Sequence, residues 1–299
     1  MLSRENIIAF NNNELPEFPE RFDNEIYLSR GKTIENNHAV NYLSNFSLKY
    51  VFEGEENYVV EGKRQSIKEN KILIINNGSN ASFTGSDANA VSIFINPDIL
   101  QDCQKPLLDK RGFLESPLNN PHAQLSFFDS VQHLEHFGLR ILLERIANNP
   151  QLILTQDFYY ELATQIILSQ NATQRRINKI GSVKQATRRE LYKRLEMAKD
   201  YMNDNLKRPF DLDKISRISC ISKYHFIRIF KEVYGTTPHR YHLKNKIALI
   251  ENLLSKDVES KCLKDISNDF GFSNYSVFYK QFKLINGKAP SGFIHEHSY

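Results

Sequence analysis

Two segments in the last third of the chain place basic and aromatic side chains at matching positions. Residues 226–238 and 278–290 both read F-x3-F-K-x3-G-x2-P, and the second segment starts 52 residues after the first. Two copies of so widely spaced a pattern indicate an internal repeat. Because the two phenylalanines of each copy are four residues apart, they share one face of a helix and leave the other face to polar side chains.

The faces opposite the phenylalanines hold the candidate site residues. Basic and polar aromatic side chains on an exposed helix are suited to contacts with phosphates and with base edges in the DNA major groove. In the first copy these residues are Lys223, Tyr224, Ile227, Arg228 and Lys231. In the second copy they are Tyr275, Ser276, Tyr279, Lys280 and Lys283.

The residues before each phenylalanine pair have the order of a helix-turn-helix. Cys220 and Gly271 stand five residues after an Ile-Ser dipeptide, where a turn is expected, and glycine supplies a permissive backbone there. Ser222 and Ser273 then stand at the N-cap position of a second helix. The sequence therefore predicts two helix-turn-helix units.

A helix that begins at Pro238 is expected to join the two units. Proline suits the first helical turn, since its missing N–H would be unpaired there. The apolar stripe of this helix consists of Leu243, Ile247, Ile250 and Leu254. One rigid helix would fix the separation of the units, and two recognition helices on one face of a duplex need to lie about one helical turn, ~34 Å, apart.

Residues 190–294 resemble the C-terminal DNA-binding domain of AraC/XylS-type transcriptional regulators, through segments 215–222, 224–231, 235–238 and 266–290. The resemblance implies that seven side chains face DNA bases: Tyr224, Ile227, Arg228, Tyr275, Ser276, Tyr279 and Lys280. It also implies that Lys231 and Lys283 lie near phosphates. At Ile227 the family often has a polar base-reading residue, so Ile227 is expected either to contact a thymine methyl group or to leave that base pair unread.

The net charge of the C-terminal part of the chain differs in sign from that of the rest. Residues 182–299 hold 22 Lys and Arg against 13 Asp and Glu, a balance of +9, whereas residues 1–181 hold 17 against 22, a balance of −5. This asymmetry favours a polyanion-binding module joined to a module of another kind, although a basic surface without a partner would look the same. The length of 299 residues and the 40% hydrophobic content fit a globular protein of two domains.

Residues 25–96 form short runs rich in β-branched and aromatic residues, separated by Gly and Asn turns, which indicates a sandwich or barrel. Helical periodicity follows, first through Leu125, Phe128, Val131 and Leu134. The resemblance implies an α+β protein with a cupin-like β-barrel. Its predicted parts are a cupin-like effector-binding or dimerisation domain (1–170), a linker (171–188) and a double helix-turn-helix domain (189–299).

Two alternatives concern the N-terminal module. A cupin metalloenzyme needs clustered imidazoles, but no histidine lies between Asn41 and Asn96. His133 and His136 fall in a predicted helix without a clear third ligand. An architectural DNA-binding protein would have a filled barrel, whereas an effector site would be a cavity lined by aromatic residues. The aromatic candidates are Tyr42, Phe46, Tyr50, Phe52, Tyr58, Phe83 and Phe94.

No nucleophile elbow, P-loop or dinucleotide-binding motif occurs, so neither catalytic residues nor a cofactor or metal is expected. The three cysteines are widely spaced and lack a CxxC pair, and Cys220 and Cys262 are expected to be small buried hydrophobes. With no apolar run near Met1, a cytoplasmic location is expected.

The sequence thus predicts a bacterial, sequence-specific transcription regulator, an activator by analogy with the family. The expected partners are double-stranded promoter DNA, a second copy of the chain, RNA polymerase and a small effector in the barrel.

Overall fold

The computed structural model describes residues 7–11, 19, 22–31, 40–109, 126–181, 184–256 and 262–292. The chain divides into two compact units, Met1–Gln174 and Arg175–Tyr299. The first contains a sheet with helices and the second contains helices, so the mixed α+β class is confirmed. Within these described ranges, every helix is too short or too polar to cross a membrane.

Eight strands form one sheet in the first unit. They are β1 (Ile8–Asn11), β2 (Glu25–Arg30), β3 (Val40–Ser44), β4 (Ser47–Val60), β5 (Lys63–Lys68), β6 (Lys71–Ile75), β7 (Ser79–Phe94) and β8 (Gln132–His133). Their order is β1-β2-β7-β4-β6-β8, with β3 beside β7 and β5 beside β4. The β1–β2 pair is parallel and the other pairs are antiparallel.

The long strands β4 and β7 form the centre of the sheet. Their pairing shifts register between Val51 and Glu53 and again between Asn57 and Tyr58, and such bulges bend a strand pair. Gly54 follows the first shift with φ +86°, and a Cβ there would lie 1.9 Å from the Asp87 carbonyl oxygen. Only glycine allows the two backbones to approach so closely.

The sheet formed by the described strands is open. Among the described strands, no ladder joins the terminal strands β1 and β8. The physical reason lies at the β8 edge. That strand contributes only Gln132 and His133, which pair with Ile72 and Lys71 of β6 and leave little backbone for a closing ladder.

Three helices cover one face of the sheet: α1 (Pro97–Asp109), α2 (Phe137–Asn148) and α3 (Gln156–Asn178). Leu48, Tyr50, Ile72 and Ile93 from the sheet pack in one cluster with helical residues such as Leu142. Strand residues alternate between faces. The helix-covered face therefore takes Phe46, Tyr50 and Phe52 and removes them from the expected cavity lining.

The helix expected through Phe128, Val131 and Leu134 is wrong, and Leu125 lies outside the described residues. His133 lies in β8, and His136 is the N-cap of α2, where its side chain accepts a hydrogen bond from the Leu139 N–H. Pairing with the edge of β6 supplies these residues with backbone hydrogen bonds that their apolar spacing does not reveal.

The second unit contains α4 (Gln185–Asp204), α5 (Leu212–Ser219), α6 (Lys223–Tyr234), α7 (Pro238–Lys256), α8 (Leu263–Asp269) and α9 (Tyr275–Asn286). The predicted linker 171–188 lies largely in helices, because α3 continues to Asn178 and α4 begins at Gln185. The boundary between the units, after Gln174, falls within this segment.

Candidate nucleic-acid interface

The first helix-turn-helix consists of α5, a short turn and α6. Asp211 caps α5 by accepting a hydrogen bond from the Lys214 N–H at 3.0 Å. Cys220 then adopts a left-handed conformation with φ +50°, and the Ile221 N–H donates to the Ser216 carbonyl at 3.2 Å. These bonds close the turn and bury Ile221.

Ser222 is the N-cap of α6 as predicted, but its side chain makes no capping hydrogen bond. The first helical bond runs instead from the Phe226 N–H to the Ser222 carbonyl at 2.8 Å. Phe226 and Phe230 are buried on the inner face of α6, as their spacing predicts.

The second helix-turn-helix repeats this plan with α8 and α9. Gly271 takes the left-handed position with φ +66°, and the Phe272 N–H donates to the Ser267 carbonyl at 3.0 Å. The N-cap of α9 is Asn274, whose side-chain oxygen accepts from the Val277 N–H at 2.9 Å. The predicted cap at Ser273 is therefore wrong by one residue, because Asn caps as well as Ser and the two are adjacent.

Both cysteines near the units are exposed, which corrects the expectation that they are buried hydrophobes. Cys220 occupies the turn after α5, and Cys262 is the N-cap of α8. Both positions lie at helix ends, where the backbone and not an apolar face sets the exposure of the side chain.

All ten candidate residues are exposed on the outer faces of α6 and α9. Tyr224 has 82% of its surface exposed, and Ile227 has 36%. The ten candidate residues are Lys223, Tyr224, Ile227, Arg228 and Lys231 on α6, and Tyr275, Ser276, Tyr279, Lys280 and Lys283 on α9. Their contact with DNA stays a prediction.

Two of the basic residues on α6 have acidic neighbours. Lys223 forms an ion pair with Asp213 of α5. The Nε of Arg228 lies 4.0 Å from a carboxylate oxygen of Glu232, one turn further along the helix. Exposed pairs of this kind contribute about 0–1 kcal/mol, so either cation can exchange its partner for a phosphate or a base at small cost.

A buried polar network fixes α6 against α4. Glu196 and Lys199 of α4 form an ion pair of 2.8 Å with both side chains almost fully buried. The Tyr234 hydroxyl, in the last turn of α6, donates to the same Glu196 carboxylate. Burial, followed by the charge of Glu196, raises the pKa of Tyr234, so this hydroxyl stays protonated and remains a donor.

A second buried contact joins the two helix-turn-helix units. Lys246 of α7 donates from Nζ to the carbonyl oxygens of Arg208, before α5, and Phe270, after α8, at 2.9 and 2.7 Å. His242, one turn earlier, also lies within 3.3 Å of the Arg208 carbonyl. Burial lowers the pKa of Lys246 to about 8 and, together with the charge of Lys246, the pKa of His242 to about 4.

Sequence reasoning missed these two residues. Lys246 and His242 are four residues apart and flank the apolar stripe of α7, so they share a helix face. That spacing is the one available signal, and it does not show which carbonyl oxygens the two side chains reach.

Residues 215–296 match the family model described as a helix-turn-helix domain. The multiple antibiotic resistance protein MarA of Escherichia coli (strain K12) is 30% identical over 107 residues, which cover 32% of this chain and 83% of MarA. The XylDLEGF operon transcriptional activator 3 of Pseudomonas putida is 21% identical over 216 residues, or 67% of this chain and 63% of that protein.

The probable transcriptional regulator LumQ of Photobacterium leiognathi is 26% identical over 92 residues, which cover 31% of this chain and 36% of LumQ. The chain thus spans about one third to two thirds of the length of several curated relatives. Among solved structures, ToxT of Vibrio cholerae is similar over 92% of this chain and 98% of ToxT, with 14% identity and a TM-score of 0.33.

Proposed function

The chain belongs to the AraC/XylS family of transcription regulators and has a helix-turn-helix DNA-binding domain, and we propose that it reads a specific promoter sequence with both of its helix-turn-helix units. In this proposal α6 and α9 enter successive major grooves of one duplex. The N-terminal unit modulates binding through a small effector or through dimerisation, and the bound protein activates transcription by contacting RNA polymerase.

One observation supports the two-helix proposal above all others. The 52-residue offset of the repeat relates the candidate residues pairwise, and both members of every pair are exposed. The phenylalanines that follow the same offset are all buried. The pairs are Lys223 with Tyr275, Tyr224 with Ser276, Ile227 with Tyr279, Arg228 with Lys280, and Lys231 with Lys283.

The chemistry of the pairs suggests their roles. Arg228 and Lys280 occupy equivalent positions and suit the acceptor atoms of guanine in the major groove. Lys231 and Lys283, one turn nearer the C-terminal end of each helix, suit phosphates. At the third pair, Ile227 offers an apolar surface and Tyr279 a hydroxyl, so the two units would read different base pairs.

The first experiment selects duplexes from a random pool with the full chain at fixed salt. Enrichment of one motif with two half-sites spaced by about one helical turn supports the proposal. If all duplexes bind equally, base reading is absent, and the protein is an architectural DNA-binding protein instead.

On the selected site, Arg228→Ala should cost about 1–3 kcal/mol of binding free energy and relax the preference at one base pair. Lys244→Ala is the matched control, since Lys244 is an exposed cation on α7 outside the candidate faces. If Arg228→Ala weakens binding to unrelated duplexes by the same amount, Arg228 contacts phosphate and its assigned role is wrong.

Lys231→Ala should weaken DNA binding without changing the sequence preference. Loss of a phosphate contact weakens binding to all sequences alike and lowers the slope of log affinity against log salt by about one. If the slope of log affinity against log salt is the same in Lys231→Ala as in the unsubstituted chain, Lys231 does not contact a phosphate.

The lining of a cavity in the N-terminal unit fits effector binding, whereas its small volume of about 30 Å³ is closer to the filled barrel of the architectural alternative. A cavity opens on the face of the sheet that is not covered by α1–α3, and its lining includes Tyr42, Tyr58, Phe83 and Phe94. Lys49 and Glu56 add polar groups that converge on the same space. A concave, mostly aromatic site with a few polar groups is typical of small-ligand binding.

A further inference from the structure

The helix α7 divides its packing between the two helix-turn-helix units. In its first half, the ring centroid of Tyr241 lies 5.5 Å from that of Phe230 on α6. In its second half, Ile250 is buried in one cluster with Phe282 of α9. Lys246 stands between these halves, at the place where a change of angle between the two units would bend the helix.

Lys246 joins the two units at this place. Its side chain is 4% exposed, and its Nζ donates to the carbonyl oxygens of Arg208, before α5, and Phe270, after α8. Hydrogen bonds from a charged donor are about twice as strong as neutral ones. A rotation that moves either carbonyl away leaves a buried ammonium donor without its acceptor, which is costly. These two hydrogen bonds, the Lys246 bridge, therefore resist any change in the angle between the units.

A backbone contact lies beside the Lys246 bridge. The turn of the second unit packs so closely against the segment before α5 that a Cβ at Gly271 would lie 2.9 Å from the carbonyl oxygen of Lys207. The Nζ of Lys207 in turn lies 6.0 Å from the ring centroid of Phe270. A single helix can bend between two units. Because the bridge and this backbone contact both lie on the flank of α7, they hold the helix at one angle.

We propose that Lys246 is a positioning residue that sets which spacing of two DNA half-sites the protein reads, because it holds α6 and α9 at one separation and one angle. This inference deepens the proposed function and rests on it. One base pair added between the half-sites moves one of them by about 3.4 Å and turns it by about 35° around the duplex axis. A rigid pair of recognition helices cannot follow that displacement, whereas a pair that moves about α7 can.

The first test measures the distance between α6 and α9 in the full chain without DNA. Nitroxide labels are attached at Glu232→Cys on α6 and Leu284→Cys on α9, since both positions are exposed. The exposed cysteines are removed by Cys220→Ser and Cys262→Ser. Double electron–electron resonance then gives the distribution of label distances.

Lys246→Met should broaden this distribution, because the bridge is lost. Lys246→Arg should keep it narrow, since a guanidinium can also donate to two carbonyl oxygens. A distribution as narrow in Lys246→Met as in the labelled chain with Lys246 would overturn the proposal.

The second test measures affinity for the selected duplex and for duplexes with one base pair more or fewer between the half-sites. The unsubstituted chain should lose about tenfold in affinity for either change, the size of one mismatched base pair. In Lys246→Met the affinity for the selected duplex should fall by about tenfold, because the two helices are no longer preorganised. The three spacings should then bind almost equally well. Affinity for a duplex with one half-site should stay the same, because each recognition helix is intact.

Two further variants separate positioning from a loss of stability. Lys244→Met changes an exposed cation of the same helix and should keep the spacing preference. Ile250→Val deletes one methylene from the core of the second unit without touching the Lys246 bridge. It should lower stability and keep the spacing preference. A Lys246→Met chain that keeps the preference, or an Ile250→Val chain that loses it as completely, would overturn the proposal.

The failure of this inference differs from the failure of the proposed function. If the full chain selects no motif, the proposed function is wrong, whatever the label distances show. If it selects a motif with a fixed spacing and Lys246→Met reads that motif with the same spacing preference, only the role of Lys246 is wrong.

Discussion

The two helix-turn-helix units share one backbone plan and reach it with different residues. Each turn contains one left-handed residue, which is Cys220 in the first unit and Gly271 in the second. Each recognition helix has a polar N-cap, but Asn274 makes a side-chain capping bond and Ser222 makes none. The two copies of the repeat therefore share the path of the backbone, while their capping bonds and their exposed side chains differ.

The surroundings of the two turns explain part of this difference. A Cβ at Gly271 would lie 2.9 Å from the carbonyl oxygen of Lys207 and 3.0 Å from Cδ of Pro209. Cys220 is exposed. The second turn thus packs against the segment that leads into the first unit, and only glycine satisfies both its φ angle and this contact.

The largest expected effect comes from Gly271→Ala. The left-handed backbone and the clash with Lys207 add together, so we expect a loss of about 2–4 kcal/mol in the free energy of unfolding. Urea denaturation of the full chain, followed by far-ultraviolet circular dichroism, measures it. Gly235→Ala is the matched control, because Gly235 has a similar φ of +72° with open space around it, and should cost about 1 kcal/mol. Equal losses in the two variants would show that the contact with Lys207 has no energetic weight.

Lys246→Met tests the support that the two units share. The change leaves the carbonyl oxygens of Arg208 and Phe270 without the ammonium donor, which should cost about 1–3 kcal/mol of unfolding free energy. Lys244→Met, on an exposed position of the same helix, should have almost no effect. A stability equal to or above that of the parent chain would mean that burying the ammonium costs more than its two hydrogen bonds return.

Local periodicity was enough to predict the helix-turn-helix units. Phe226 and Phe230 are four residues apart, so their burial and the exposure of Arg228 follow from helix geometry. The cap at Asn274 was missed because two good capping residues are adjacent and only the backbone conformation selects between them.

Contacts between residues that are far apart in the chain could not be predicted from the sequence pattern. The strand at Gln132 and His133 exists because β6 offers it a ladder, and nothing in the local pattern reveals that edge. Lys49 lies within an ordinary strand pattern, and only the fold brings Phe94, from β7, to its ammonium group.

Substitutions at the two N-caps should change the free energy of unfolding by a smaller amount, and by different amounts in the two units. Asn274→Ala removes the acceptor of the Val277 N–H and should cost about 1 kcal/mol of unfolding free energy. Ser222→Ala removes a side chain that makes no capping bond, so its cost should be close to zero. Both residues are exposed, and the same urea experiment compares them. If Ser222→Ala costs as much as Asn274→Ala, the two units are capped alike and this part of the comparison is wrong.

The smallest expected effect is an increase in the free energy of unfolding. Cys220 holds a left-handed conformation with φ +50° and ψ 37°, which is strained for a residue with a Cβ. Cys220→Gly removes that strain and adds freedom to the unfolded chain, so we expect a net increase of about 0.5 kcal/mol in the free energy of unfolding. Cys220→Ser keeps the Cβ and replaces only the thiol, and it should leave stability unchanged. If the serine variant gains as much as the glycine variant, the thiol and not the backbone is the source of the strain, and the first turn does not need what Gly271 supplies to the second.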